Sequence, residues 1–409
     1  MDYYLLTNLA AEIGYDLAVS GAETFRVEET MRRVLRAYGV ECETFAIPNC
    51  IMVSLEADNG KPLMVMKRVG FHGNDLDAVE RLNALSRRIC AETPEPTEAA
   101  AWLRETMASR RRYGTPLYYL GNFLAAAGFC PVFGGTLRDS LWAGLMGLII
   151  GFVTRWLDRV EVNPFFSTIA AAFAMATPAY LAAAFGWADY PDAVIIGALM
   201  LLVPGLLITN SMRDIIYGDT NSGINRVVQV LLSALAIAMG TAAAWHITAP
   251  IYGWTTASML SYPVWVQGLA TGVACTGFFL LFNVHGWGSI LCAAGGVLTW
   301  LTYLLYLSLG CGTYGANFFA AAVAAAYAEG MARMRKYPVT SYQVISIVPL
   351  LPGAGIYYTM SFGLNGSVQL ALHKGLQTAG IAGSIAAAIL LVSSLVRLLA
   401  MLRGRGANR

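Results

Sequence analysis

The sequence predicts an α-helical polytopic membrane protein: about ten transmembrane helices as an inverted 5+5 repeat with broken helices 4 and 9, plus a small cytoplasmic α+β N-terminal domain. Three observations carry this expectation. Of 409 residues, 57% are hydrophobic and 13% charged, whereas soluble domains are about 25% charged. A Pro-Gly pair inside apolar sequence occurs twice, each time introduced by a Tyr-Pro pair: YPDAVIIGALMLLVPG from Tyr190 to Gly205, and YPVTSYQVISIVPLLPG from Tyr337 to Gly353. Pro191 and Pro338 are 147 residues apart, and Pro204 and Pro352 are 148 apart. The third observation is that basic residues collect at alternate ends of the apolar segments.

The first 113 residues read as a soluble domain. Leu5, Leu9, Ile13 and Leu17 fall four apart on one stripe, which predicts an amphipathic helix from Leu5 to Val19. A second helix runs from Thr24 to Tyr38 and stops at Gly39. Glu41 to Glu56 alternates as one apolar run (Phe45, Ile47, Ile51, Val53, Leu55). The turn signal Asp58-Asn59-Gly60 and a second run, Leu63 to Val69, complete a β-hairpin. Asp75 to Cys90 and Thr97 to Arg110 give two more helices, and Arg110-Arg111-Arg112 marks the cytoplasmic side of the first span. Ser20-Gly21-Ala22-Glu23-Thr24 could cradle an anion, but it follows no strand and reads as a helix-helix turn. His72 and Asp75 read as loop and capping residues.

Ten segments are long enough to span, at roughly 20 apolar residues each. They centre near Leu124, Leu148, Phe173, Leu201, Leu235, Ala274, Val297, Val323, Ile347 and Ile389. With the N-terminus inside, Arg155, Arg159, Arg213, Arg226, the cluster Arg333-Arg335-Lys336, and Arg397, Arg403, Arg405 and Arg409 are cytoplasmic. Arg138, Lys374 and the acidic link Asp189-Tyr190-Pro191-Asp192 remain outside. Five spans per half is an odd number, so the second copy is inverted. The expected divisions are 1–113 for the cytoplasmic domain, 114–250 for the first five-helix repeat, 251–262 for a linker and 263–409 for the second repeat. The location expected is the inner (cytoplasmic) membrane, with both termini cytoplasmic.

Several function classes find no support. Cys42, Cys50, Cys90, Cys130, Cys275, Cys292 and Cys311 show no metal spacing, and His72, His246, His285 and His373 are dispersed. No cofactor, metal or nucleic-acid partner is expected. A membrane-embedded enzyme with a catalytic cytoplasmic domain is the reading from another class, but no nucleophile-base pair is visible to support it.

A family resemblance sharpens this. SGAETFRVEETMRRVLRAYGV (Ser20 to Val40) resembles the N-terminal signature of the threonine/serine exporter (ThrE) family, and VPGLLITNSMRDIIYGDTNSGINR (Val203 to Arg226) resembles its motif after the fourth span. LFNVHGWGSILCAAGGVLTWLTYL (Leu281 to Leu304) and IVPLLPGAGIYYTM (Ile347 to Met360) are similar to the family's smaller partner domain. The two parts look fused, with a join near Ile251 to Pro263. The resemblance implies export of small hydrophilic metabolites, threonine and serine foremost with succinate in a two-component branch, driven by the proton motive force. A homo-oligomer remains open.

Such a substrate needs polar partners in a dry setting. Half-helix N-termini beyond the breaks could hold a carboxylate, which points to Pro204, Gly205, Pro352 and Gly353, with Gly355 loosening the second break. Asn122, Asn210, Gln229, Asn283, Asn317, Gln343 and Gln377 are intramembrane amides; each alone also reads as helix-helix glue. Of these, Asn210, Gln229, Asn317 and Gln343 join the substrate-binding candidates. Asp214 and Glu329 are the proton-coupling candidates, since Asp139, Asp158 and Asp219 sit nearer the loops. The plainer readings pair Asp214 with adjacent Arg213 and Glu329 with Arg333.

Overall fold

The structure is a computed structural model that describes residues 2–57, 60–70, 73–252, 260–335, 337–364 and 366–406. Asp58, Asn59, His72, Trp254, Lys336, Arg409 and residues 253–259 of the expected join lie outside the described residues. The chain divides into two compact units. One holds Met1–Tyr113, Asp219–Asn225 and Phe282–His285; the other holds Gly114–Gly218, Arg226–Leu281 and Gly286–Arg409.

In the first unit, α1 (Tyr3–Val19) and α2 (Thr24–Ala37) precede a sheet of β1 (Cys42–Ile47), β2 (Cys50–Glu56) and β3 (Pro62–Arg68). Helices α3 (Leu76–Glu92) and α4 (Pro96–Ala108) follow. Asp2 caps α1, and Asp75 caps α3 by accepting from the Ala78 amide at 3.2 Å. The sheet is antiparallel in the order β1-β2-β3, with Thr44 opposite Val53 and Val53 opposite Val65. Leu6, Leu9, Ile13 and Leu17 of α1 are buried with Met31 and Leu35 of α2 and Ile51 and Val53 of β2 in one core.

The run from Glu41 to Glu56 is two strands, not the single strand expected. Ile47 pairs with Cys50 across the two-residue connection Pro48-Asn49. Proline has no N–H for a ladder, so the chain reverses there. The reversal also shifts the phase of the alternation. Cys42, Thr44 and Ala46 face inward in β1, whereas Ile51, Val53 and Leu55 do so in β2, and Phe45 is left 44% exposed. The Ser20 to Thr24 segment is a turn: Gly21 takes φ +90°, and the amides of Gly73 and Asp75 donate to the carbonyls of Val19 and Ser20.

The second unit is helical throughout. In order it contains α5 (Thr115–Val132), α6 (Leu137–Arg159), α7 (Pro164–Ala184), α8 (Pro191–Leu199), α9 (Gly205–Tyr217) and α10 (Thr220–Tyr252). After these come α11 (Val264–Leu281), α12 (Trp287–Ser308), α13 (Thr313–Arg335), α14 (Val339–Ile347), a 3-10 turn (Val348–Leu350), α15 (Gly353–Leu364) and α16 (Val368–Gly406). The first residues of α10 belong to the other unit. Among the described residues six helices are long and apolar enough to cross a membrane: α6, α7, α10, α11, α12 and α16. A seventh span arises if α14 and α15, bent by 48° at their break, count as one. This is a polytopic α-helical membrane protein.

Small residues let these helices approach backbone to backbone, as expected where lipid gives no hydrophobic drive between them. A Cβ at Gly128 of α5 would overlap the backbone of Ala274 in α11, and one at Gly277 of α11 would overlap that of Ala125 in α5. The same holds for Gly147 of α6 against the Asn122 carbonyl and Gly240 of α10 against that of Ile169. Asp139, fully buried, closes a capping box with Thr136 at the start of α6 and accepts from the Asp189 amide at 2.7 Å.

Gly128→Ala is therefore expected to lower the melting temperature of the detergent-purified protein, at a cost of about 1–3 kcal/mol because backbone atoms cannot move aside. Gly312→Ala, where an added Cβ meets nothing within 4 Å, is the control that should melt like the parent.

Candidate functional site

The two Pro-Gly breaks share one backbone construction. At the first, the Gly205 amide donates to the Val203 carbonyl at 2.8 Å, and the Ile208 amide to the Pro204 carbonyl at 3.2 Å. At the second, the Gly353 amide donates to the Leu351 carbonyl at 2.7 Å, and the Ile356 amide to the Pro352 carbonyl at 3.2 Å. Each break is thus a tight three-residue turn that restarts a helix on a proline carbonyl. The glycine amides are consumed in these turns, so the half-helices α9 and α15 offer the N–H groups of Leu206, Leu207, Ala354 and Gly355 instead.

The breaks also meet. A Cβ at Gly205 would stand 2.8 Å from the Leu351 Cβ, and one at Gly353 would stand 3.0 Å from the Met200 Sδ and 3.1 Å from the Val203 Cγ1. Apolar side chains interleave around the contact: Leu206 packs with Leu350 and Ile347, while Ile208 packs with Ile356 and Ala382. In this conformation the crossing point is closed by Leu, Met and Val. Gly355 serves close packing, since a Cβ there would overlap the Thr378 hydroxyl on α16.

Asp214 lies near the end of α9 and Arg226 near the start of α10. Asp214 Oδ2 is 3.0 Å from Arg226 Nε, and the side chains are 8% and 12% exposed. The partner of Asp214 in this pair is Arg226, twelve residues further along the chain, in addition to the adjacent Arg213 that sequence alone suggests. Local spacing misses such a pair because α9 ends at Gly218, in the left-handed region at φ +105°, and a new helix begins before Arg226. Glu329 is bound by Arg333 at 3.1 Å, as i,i+4 spacing allows.

The predicted amides scatter. Asn122 and Asn317, both buried, donate to carbonyls one turn back in their own helices, Tyr118 and Thr313. Gln377 accepts from Lys374 at 3.1 Å. Asn210 and Gln229 are half-buried on α9 and α10, and Gln343 is 7% exposed on α14. Asn283 lies outside the helices. It sits in the α11–α12 connection in the first unit, at φ +62°. There it donates to Asp75 Oδ1 at 3.0 Å and to the Arg111 carbonyl, and accepts from the Tyr113 amide at 3.0 Å. The Tyr113 and His285 rings stack at 4.2 Å beside it. Its short polar side chain tolerates the left-handed turn that an apolar count reads as helix.

Hydroxyls, not amides, are the feature the sequence reading missed. Every residue of α14 from Thr340 to Gln343 is buried, as is Ser346. The hydroxyl oxygens of Thr340, Ser341 and Ser346, with Thr209 on α9, have no hydrogen-bond partner among the described residues. Unpaired buried hydroxyls cost roughly 1–3 kcal/mol each. The signal was present as TSYQ inside a nine-residue half-helix too short to satisfy a membrane by itself.

Among the described residues no group of three His, Cys, Asp or Glu side chains could hold a metal ion, and the buried polar side chains of α9 and α14 are Thr209, Ser211, Asp214, Thr340, Ser341, Gln343 and Ser346.

The threonine/serine exporter (ThrE) family profile matches residues 8–248, and a second, "Threonine/Serine exporter, ThrE", matches residues 267–395. The chain is 24% identical over 395 residues to the threonine/serine exporter of Corynebacterium glutamicum, covering 94% of this chain and 81% of that protein. It is 24% identical over 390 residues to the "Probable threonine/serine exporter" of Mycobacterium tuberculosis, covering 91% and 73%. To the "Probable succinate transporter subunit YjjP" of Klebsiella aerogenes it is 23% identical over 236 residues, 58% of this chain and 91% of that one. No solved structure matches. With both profiles matched in sequence order along one polypeptide, the chain belongs to the threonine/serine exporter family.

Proposed function

We propose that the protein is a secondary transporter that exports a small polar metabolite, threonine or serine first, by antiport with protons across the inner membrane. The observation that carries this reading is the reciprocal packing of two identically built helix breaks, Val203-Pro204-Gly205 against Leu351-Pro352-Gly353. Broken helices in lipid persist only where protein or a wet cavity covers them, and paired breaks in two repeats mark midplane substrate sites. On this reading the helical region holds ten spans. Helices α8–α9 and α14–α15 form broken spans 4 and 9, and residues 114–250 and 263–409 form inverted repeats. Residues 1–113 form a cytoplasmic domain, the join falls at 251–262, and both termini are cytoplasmic.

The closed apolar contact at Leu351, Met200 and Val203 is then the gate whose parting admits substrate. Pro204, Gly205, Pro352, Gly353 and Gly355 shape that crossing. The substrate carboxylate meets the free amides of Leu206, Leu207, Ala354 and Gly355, with Asn210, Gln229, Asn317 and Gln343 as further polar partners. Asp214 carries the coupling proton, alternating between Arg226 and a protonated state; Glu329 is the second candidate. A dicarboxylate exporter is the competing reading, favoured by the similarity to the succinate transporter subunit.

Two measurements test this. In proteoliposomes, exchange of labelled threonine or serine supports the amino-acid reading and exchange of succinate the dicarboxylate one; exchange of neither overturns both. Asp214→Asn alone leaves Arg226 buried without its carboxylate, at a cost of about 3–5 kcal/mol. The pair Asp214→Asn with Arg226→Gln is expected to fold and exchange substrate but lose acceleration by a pH gradient. Gradient-driven export at the parental rate would remove Asp214 from the mechanism.

A further inference from the structure

Where the first turn of α12 begins, three kinds of hydrogen-bond donor converge on one point. A Cβ built on Gly288 would stand 3.6 Å from Arg335 Nη1 and 3.6 Å from the Tyr342 hydroxyl. Glycine at 288 leaves a methyl-sized slot between them, and neither donor atom is exposed to water. Arg335 ends α13 and Tyr342 lies in the first full turn of α14, so three helices contribute. Nη1 of Arg335 is buried and has no hydrogen-bond partner among the described residues. Its neighbour Arg333 differs, being held by Glu329 at 3.1 Å. The Arg335 guanidinium instead lies over the Tyr337 ring at 5.2 Å, which orients it without supplying an acceptor.

The third donor is the helix end. No side chain caps α12, and its N-cap is Gly286 at φ +69°. The Ser289 amide is spent on the Gly286 carbonyl, leaving those of Trp287 and Gly288 as the open first-turn donors. Trp287 is 76% exposed while Gly288 is buried. In the turn that carries Tyr342, the hydroxyls of Ser341 (5% exposed) and Thr340 (2% exposed) also have no partner among the described residues.

A buried guanidinium nitrogen without an acceptor is costly to keep. Beside a tyrosine hydroxyl and the positive end of a 22-residue helix, it is a receptor for a planar oxyanion. We propose that Arg335, Tyr342 and the first-turn amides of α12 at Gly288 bind the carboxylate of the transported substrate, as a docking station separate from the crossing point of the two breaks. This rests on the transporter reading and adds to it that the carboxylate, common to amino acids and dicarboxylates, is recognised here by Arg335. A lipid phosphate shares the oxyanion chemistry, and the test separates the two.

The test is equilibrium binding to the purified full chain in nanodiscs, using serine, succinate and serinamide, in which an amide replaces the carboxylate. Arg335→Gln and Gly288→Ala are each expected to weaken serine and succinate binding about tenfold or more, with serinamide binding changed less than about twofold. Gly288→Ala fills the slot at ordinary van der Waals distance, so it reads the site even if Arg335→Gln misfolds. Arg333→Gln is the control and should match the parent. Serine and succinate binding unchanged in Gly288→Ala, or carboxylates failing to bind the parent, overturns the site. So does a loss seen only as weaker retention of phosphatidylglycerol, which would assign the slot to a lipid phosphate. Carboxylate binding that depends on Gly288 without any exchange in proteoliposomes supports the site and rejects the transporter reading instead.

Discussion

The helical unit answers to one constraint: where a helix is interrupted among apolar side chains, protein must cover its polar backbone groups. Two prolines remove amide donors at positions 204 and 352, and each break then spends its glycine amide on the carbonyl two residues back. What remains exposed is covered by the other break. Gly205 admits Leu351, and Gly353 admits Met200 and Val203. On the proposed transporter reading both breaks lie in hydrocarbon, where neither could exist alone at tolerable cost. Their mutual packing turns two local weaknesses into one closed junction of apolar side chains.

The same economy of small side chains governs the helices that hold the breaks. Alanine and glycine dominate the buried positions of α5, α7 and α13, and Gly128 and Gly277 bring α5 and α11 to backbone contact. In lipid, van der Waals packing of this kind supplies most of the association energy. Long side chains are therefore kept for the periphery, where Leu298, Leu305 and Leu391 stand exposed. Polar side chains are buried among these helices too: the Asp214–Arg226 pair, the hydroxyls of α14, and the amides of Asn122 and Asn317, which bond within their own helices.

Legibility differed by the range of the interaction. The Pro-Gly breaks were visible because proline and glycine act on their own backbone, and so were the helices of the first unit, whose apolar stripes repeat at 3.6 residues. The two-strand split at Pro48-Asn49 was missed because Phe45, Ile47 and Ile51 keep an apparent alternation across the turn. Asn283 was misplaced because a left-handed residue between two apolar helices leaves little trace in hydropathy. Attention to amides passed over the α14 hydroxyls, since serine and threonine in a helix ordinarily satisfy themselves against the preceding turn, as Thr299 does with Gly295.

Sequence by itself determined that this chain belongs among polytopic helical membrane proteins, where its helices break, and to which family it belongs. These are consequences of composition and of residues acting within a turn or two of themselves. Tertiary structure alone decided that Arg226 faces Asp214, that the two breaks close on each other, and that Arg335 and Tyr342 meet over Gly288. Each of those contacts joins residues from different helices, and the crossing of helices is fixed by which small residues face each other in space. Residue spacing along a single helix carries no record of it.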